Sequence, residues 1–297
     1  MAHAQPVAPV DRHAGSGRLI FGSAVAGVLL AILWSYEFVD HVIGANVANT
    51  LLGEDAATTS LAGTAAGLVF AFVSGLAGTF TACNIAMAAS VGPMSQAGAT
   101  SLWRPFGHFT LGMVGVSAVY GAVGVLIGTG LPQLSSATVG TMPVRLVQSA
   151  VVFGVVGLAL TYIGLATLGV VRDVFRGRPV ARVVVLGALV GAFLIGRPYP
   201  MFIKLFRSAV ESGNPLYGAG TFVLQSLGNI VLVAILFAVL SLVTRGRFLA
   251  AVARNPRRTT AVSAALLIAL GVFLLVYWDV RVPSIFGIGW FPTMPYN

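Results

Sequence analysis

The chain has 297 residues, of which 57% are apolar and only 8% charged, and its formal net charge is +9; the mean hydropathy is +0.94. A water-soluble domain carries about 25% charged residues, so a soluble globular fold is excluded, and the high hydrophobicity equally excludes a disordered scaffold. The basic residues fall in short clusters between apolar runs, the pattern of cytoplasmic loops rather than of a nucleic-acid surface.

A bilayer-spanning helix needs about 20 mostly apolar residues, and seven runs qualify: 18–38, 64–92, 106–130, 145–171, 181–203, 216–244 and 259–279. Ahead of them, 1–17 reads as a cytoplasmic tail. The first run has a basic start at Arg12 and Arg18, an apolar core from Leu19 to Trp34 and no small-x-small cleavage site after it, which predicts an uncleaved signal anchor. The second run places Gly75, Gly78, Thr79, Thr81, Cys83 and Asn84 inside one apolar stretch that ends at Pro93. Glycine pairs four apart, Gly63/Gly67, Gly124/Gly128 and Gly187/Gly191, put small residues on one helix face, where backbones in lipid approach closely.

The fifth run ends in Ile195-Gly-Arg-Pro-Tyr-Pro-Met201. Pro198 and Pro200 each remove a backbone donor, so the helix must break there, and broken helices at membrane depth line cavities or lie buried in protein. Beyond the break, Lys204, Arg207 and Glu211 share one face if 201–211 is helical. That predicts either an interfacial helix with its charges among headgroups or an anion-attracting mouth; Ser212-Gly-Asn-Pro215 ends it. Gln225 and Asn229, four apart in the sixth run, share a face and serve as interhelical glue or as a polar lining around a central site. The tail 280–297, with three prolines, Trp290, Phe291 and Tyr296, is expected to be non-helical from Pro283 onward and to lie at the outer interface.

Charge sets the orientation. The N-terminus, 93–105, 172–182 and 245–258, together with Arg18, hold twelve basic residues against two acids, whereas the alternate segments hold five against six. The positive-inside rule then places the N-terminus in the cytoplasm and the C-terminus outside. A single cysteine forms no internal disulfide, and His3, His13, His41 and His108 are too scattered for a metal site. Neither a metal nor a cofactor is expected.

Residues 64–279 resemble the cytochrome c biogenesis transmembrane family, which comprises CcdA and the membrane domain of DsbD. Phe80-Thr-Ala-Cys-Asn-Ile-Ala86 falls at the first Pro-Cys element of that family and Ile195–Met201 at the second; Leu111-Gly112, Val152–Leu165 and Ala261–Leu275 fall on its other helices. The resemblance implies an all-α membrane fold of about seven helices. These would be an extra N-terminal helix (18–38) and two inverted three-helix repeats, 64–171 and 181–279. It also implies thiol–disulfide electron transfer or cytochrome c maturation, with a thioredoxin-like or cytochrome c assembly protein as partner, in a bacterial plasma membrane. The departures are specific. Ala82 replaces one proline, Ala86 another, and Tyr199 stands at the second cysteine position, so one chain carries no internal relay, and Cys83 needs a second sulfur from a partner or from another copy. Activation of its thiol needs a helix N-terminus or a cation, and Arg197 is that cation only if the repeats face each other. The expected site is Cys83 as the reacting group, lined by Asn84, Arg197, Pro198, Tyr199, Pro200, Gln225 and Asn229. A small-solute permease, or a non-catalytic subunit of a membrane complex, is the alternative use of the same scaffold.

Overall fold

The computed structural model describes residues 15–53, 56, 58, 61, 63–78, 86, 89, 90, 103–243, 255–292 and 294. The apolar runs form helices because a chain in lipid must satisfy its backbone donors and acceptors internally. In chain order they are α1 (Gly15–Leu33), α2 (Ala45–Leu52), α3 (Gly63–Ala77), α4 (Trp103–Ile127), α5 (Val144–Thr167), α6 (Pro179–Gly196), α7 (Pro200–Glu211), α8 (Pro215–Val243), α9 (Pro256–Val276) and the single turn α10 (Val282–Ile285). Two π-helical segments, Glu37–Gly44 and Tyr277–Arg281, lead into α2 and α10. The only strands among the described residues are β1 (Thr138–Val139) and β2 (Met142–Pro143), an antiparallel hairpin between α4 and α5.

Five helical segments, Ser16–Leu33, Trp103–Gly130, Val144–Thr167, Pro179–Gly196 and Pro256–Ile285, are long and apolar enough to cross a membrane. The perimeter has the matching character. Val151, Val155, Leu158 and Tyr162 on α5 and Leu111, Val119, Val123 and Leu126 on α4 all face outward, at spacings that make apolar stripes on each helix. A soluble protein does not carry so much exposed apolar surface. The polar side chains are turned inward instead: Ser74, Ser117, Thr221, Gln225, Ser226 and Asn229 are buried, and Ser117 and Ser226 share a 2.5 Å hydrogen bond between α4 and α8. The protein is an all-α integral membrane protein.

The main helices pack in the order α1–α9–α5–α6–α4–α8–α3. Small residues set these contacts. A side chain at Gly187 would overlap the Phe109 carbonyl, and one at Gly191 would press on Met113, so this pair is the seam between α6 and α4. In the other two pairs one member packs closely, Gly67 against Tyr217 and Gly124 against Phe206, and the other serves a helix end. Gly63 opens α3 and Gly128 follows α4, both at positive φ (88° and 66°), where glycine alone is unstrained.

Several boundaries differ from those read in the sequence. The first span closes at Leu33; residues 39–52, left between spans, are helical, with Gly44 and Ala48 presenting a small buried face. The second span is described as helix only to Ala77. The tail is not free of helix: Pro283 lies in α10, the last turn of the continuous helical segment Pro256–Ile285. Beyond it Gly287 and Gly289 take positive φ, and Thr141 Oγ1 donates to the Phe286 carbonyl at 2.7 Å, folding the tail onto the hairpin.

Candidate functional site at the broken helix

α6 stops at Gly196 and α7 starts at Pro200. Pro198 has no N–H to continue α6, and Pro200 takes the first position of α7, where none is needed. The interruption releases carbonyls that a helix would have used. Two of them have donors: Gln148 Nε2 of α5 donates to Ile195 O at 2.7 Å, and Gln133 Nε2 donates to Arg197 O at 2.7 Å. Residues 197–199 are thereby held in an extended conformation, with Tyr199 buried and Arg197 and Pro198 half-buried.

On one side the break meets α3 and α8. Arg197 Nη1 lies 2.6 Å from where a Cβ on Gly78 would stand, and Asn229 Oδ1 lies 3.2 Å from that point, so a side chain at position 78 would push the guanidinium out of this place. Arg197 also stacks over the rings of Tyr199 and Phe202, at 4.7 and 5.4 Å from their centroids, a favourable cation–π geometry. The Tyr199 hydroxyl is 2.7 Å from the Cβ direction of Gly44. Gln225 Nε2 donates to Ser74 Oγ at 3.1 Å, and a side chain at Gly75 would overlap the Gln225 carbonyl. Gln225 therefore ties α8 to α3 by a side-chain hydrogen bond, while Asn229 Oδ1 is buried without a hydrogen-bond partner among the described residues.

On the other side the break opens on a cavity of about 820 Å³ at the end of the bundle where α1, α6 and α9 finish and α5 begins. Arg197, Pro198 and Pro200 contribute to its wall, together with Arg145 and Arg281; Tyr199, Gln225 and Asn229 do not. The expected lining is thus divided between two sides of the break. Cys83 and Asn84 lie outside the described residues.

Arg281 was counted in the sequence among loop charges, yet it is 1% exposed. Its Nη1 donates to the carbonyls of Ala31 and, at 2.7 Å, Trp34. It caps the C-terminus of α1, where unpaired carbonyls and the helix dipole attract a cation. α7 is amphipathic, with Phe202, Leu205, Phe206 and Ala209 buried and Arg207 and Glu211 exposed. Lys204 is the exception on its polar face. It donates to the Ala56 carbonyl and lies 4.4 Å from the centroid of Phe70, and desolvation holds its ammonium below the usual 10.5.

Gln133 and Gln148 were missed in the sequence. The available signal was the presence of two amides flanking the start of an apolar run. Among the described residues no group of three His, Cys, Asp or Glu is placed to hold a metal. No protein-family profile, curated protein or solved structure matches the chain, so the family resemblance rests on the residues quoted for it.

Proposed function

We propose that the chain is a divergent CcdA/DsbD-like membrane protein that passes electrons by thiol–disulfide exchange through Cys83, alone in its chain and paired with partner thiols. The observation that carries this is the contact of Arg197 with Gly78: the break that holds Tyr199 lies beside a residue that precedes Cys83 by five positions in the sequence, and Arg197 would serve as the cation that thiol activation requires.

Helix packing supports the two-repeat reading. Exchanging α3, α4 and α5 with α6, α8 and α9 turns the α3–α8 contact into the α6–α4 contact and leaves α4–α8 and α5–α9 unchanged. Glycines recur at equivalent places: Gly75 of α3 meets α8, and Gly187 of α6 meets α4. Seven spans, with a cytoplasmic N-terminus and an extracytoplasmic C-terminus in a bacterial plasma membrane, complete the proposal; α8, 29 residues long, and the run from α3 into 79–92 supply the two spans beyond the five.

The exchange balances as follows. The Cys83 thiolate attacks one sulfur of an oxidised acceptor, whose S–S bond breaks as the mixed disulfide forms. A thiolate of a reduced donor then attacks the Cys83 sulfur, and the acceptor leaves as a dithiol. The donor's second thiol closes the donor's own disulfide and frees Cys83. Two electrons pass from donor to acceptor, and Cys83 ends as it began.

The test is trapping in membranes. Cys83→Ser abolishes any mixed disulfide with a thioredoxin-like or cytochrome c assembly partner and abolishes cellular activity with it. Tyr199→Cys gains an internal disulfide under oxidant, read as a gel shift that Cys83→Ser removes. Full activity in both Cys83→Ser and Cys83→Ala would leave the permease or accessory-subunit alternative in its place.

A further inference from the structure

We infer that the cavity at the end of the bundle binds a membrane amphiphile: an apolar tail carrying a compact phosphate headgroup, drawn from the surrounding bilayer. The proposal does not rest on thiol chemistry at Cys83.

The volume of about 820 Å³ is that of a ligand pocket, within the ordinary range of roughly 300–1,000 Å³. Its wall is largely aromatic. Phe153 stacks on Trp278 at 4.6 Å and meets Phe193 edge-on at 5.4 Å; Trp34 and Phe273 close the opposite side at 5.3 Å. Apolar surface of this kind suits hydrocarbon and gives a polar solute little to hold.

The charges are one-sided. Arg145, Arg197 and Arg281 line the cavity, and none of the described lining residues is acidic. Arg281 is nearly fully buried, and its Nε has no hydrogen-bond partner among the described residues. A buried charge is costly unless an opposite charge reaches it, and guanidinium forks match phosphate oxygens in a two-point geometry. An anionic headgroup supplies what this end of the cavity lacks.

The mouth identifies the source. Tyr36, Ile285 and Trp290 line the cavity and are also exposed, Trp290 at 82%. Exposed aromatic and aliphatic side chains beside a tail that folds back over the bundle end are the features of a membrane–water interface. An amphiphile already in that leaflet enters tail-first without crossing water.

Three of the four tryptophans, Trp34, Trp278 and Trp290, line the cavity, and Trp103 does not. The full chain with Trp103→Phe, in phosphatidylcholine nanodiscs, therefore reports occupancy by fluorescence quenching. The probes are phosphatidic acid, phosphatidylcholine and diacylglycerol, each brominated on the acyl chains, with inorganic phosphate as competitor. The expected result is saturable quenching by the phosphatidic acid at about one-tenth the mole fraction needed by the other two, the scale of one charge-assisted hydrogen bond. Arg145→Gln, at an exposed residue that the fold tolerates losing, and Arg281→Gln should each weaken that preference. If Arg281→Gln fails to fold, Arg145→Gln alone decides. Equal quenching by all three lipids, displacement by inorganic phosphate at comparable concentration, or an unchanged preference in the folded arginine variants would overturn the proposal.

Discussion

At the scale of single residues, charge in this protein is placed by what surrounds it rather than by where the chain leaves the apolar runs. Arg281 caps α1 from the far end of the sequence, and Arg197 is accommodated because position 78 has no side chain. Lys204 offers a direct measurement, since it is the sole lysine. Burial lowers its pKa in the fold, although the Ala56 carbonyl and the Phe70 ring favour its charged form; desolvation outweighs both. The unfolded chain therefore binds more protons than the folded one between the lowered value and 10.5. In that window stability rises with pH, and below it the cost of burying the ammonium is present in full. Isotopic reductive methylation of the folded protein should give one side-chain resonance, titrating with a midpoint below that of free lysine carrying the same label. A midpoint at or above the free value would contradict the burial.

Among the elements, the decisive contacts are those in which one backbone lies against another. The α6–α4 seam depends on Gly187, whose added Cβ would overlap the Phe109 carbonyl. Helix association in lipid relies on packing rather than on expulsion of water, so forcing these backbones apart sacrifices the main attraction. Gly187→Val should destabilise the fold by about 1–3 kcal/mol, the usual cost of overpacking, read as a lower midpoint in denaturing-detergent titration. Gly115→Ala, facing open space on α4, should leave that midpoint within about 0.5 kcal/mol of the parent. Equal effects at the two sites would refute the seam. The broken helix follows the same logic in reverse: Gln133 and Gln148 satisfy the Arg197 and Ile195 carbonyls that the interruption releases, so the interruption is a built feature.

At the scale of the whole molecule, apolar residues cover the outside and serines, threonines and amides lie within, as a lipid solvent demands. The charge distribution predicts an orientation that is testable by fusion. A reporter active only outside the cytoplasm should give signal after Asn297 and none after Arg258; the opposite pattern would reverse the assignment. The cavity, the end of α1 and the folded tail all lie at the end that this topology places outside.

The membrane character and the break at Pro198–Pro200 were legible in the sequence, because each depends on local properties: hydropathy over a window, and the absence of an N–H. The buried role of Arg281, the donors that Gln133 and Gln148 provide, the helical turn at Pro283 and the division of the expected lining between two sides of the break were not. They depend on which distant segments meet, and in a chain this uniformly apolar the hydropathy pattern gives nearly the same score to every face of every helix. Small residues and a few polar atoms select the neighbours, and their partners are set only when the helices are packed. Gly78 reads in the sequence as one small residue of the second run, beside Gly75 and Thr79; only the tertiary structure places it beside a guanidinium 119 positions away.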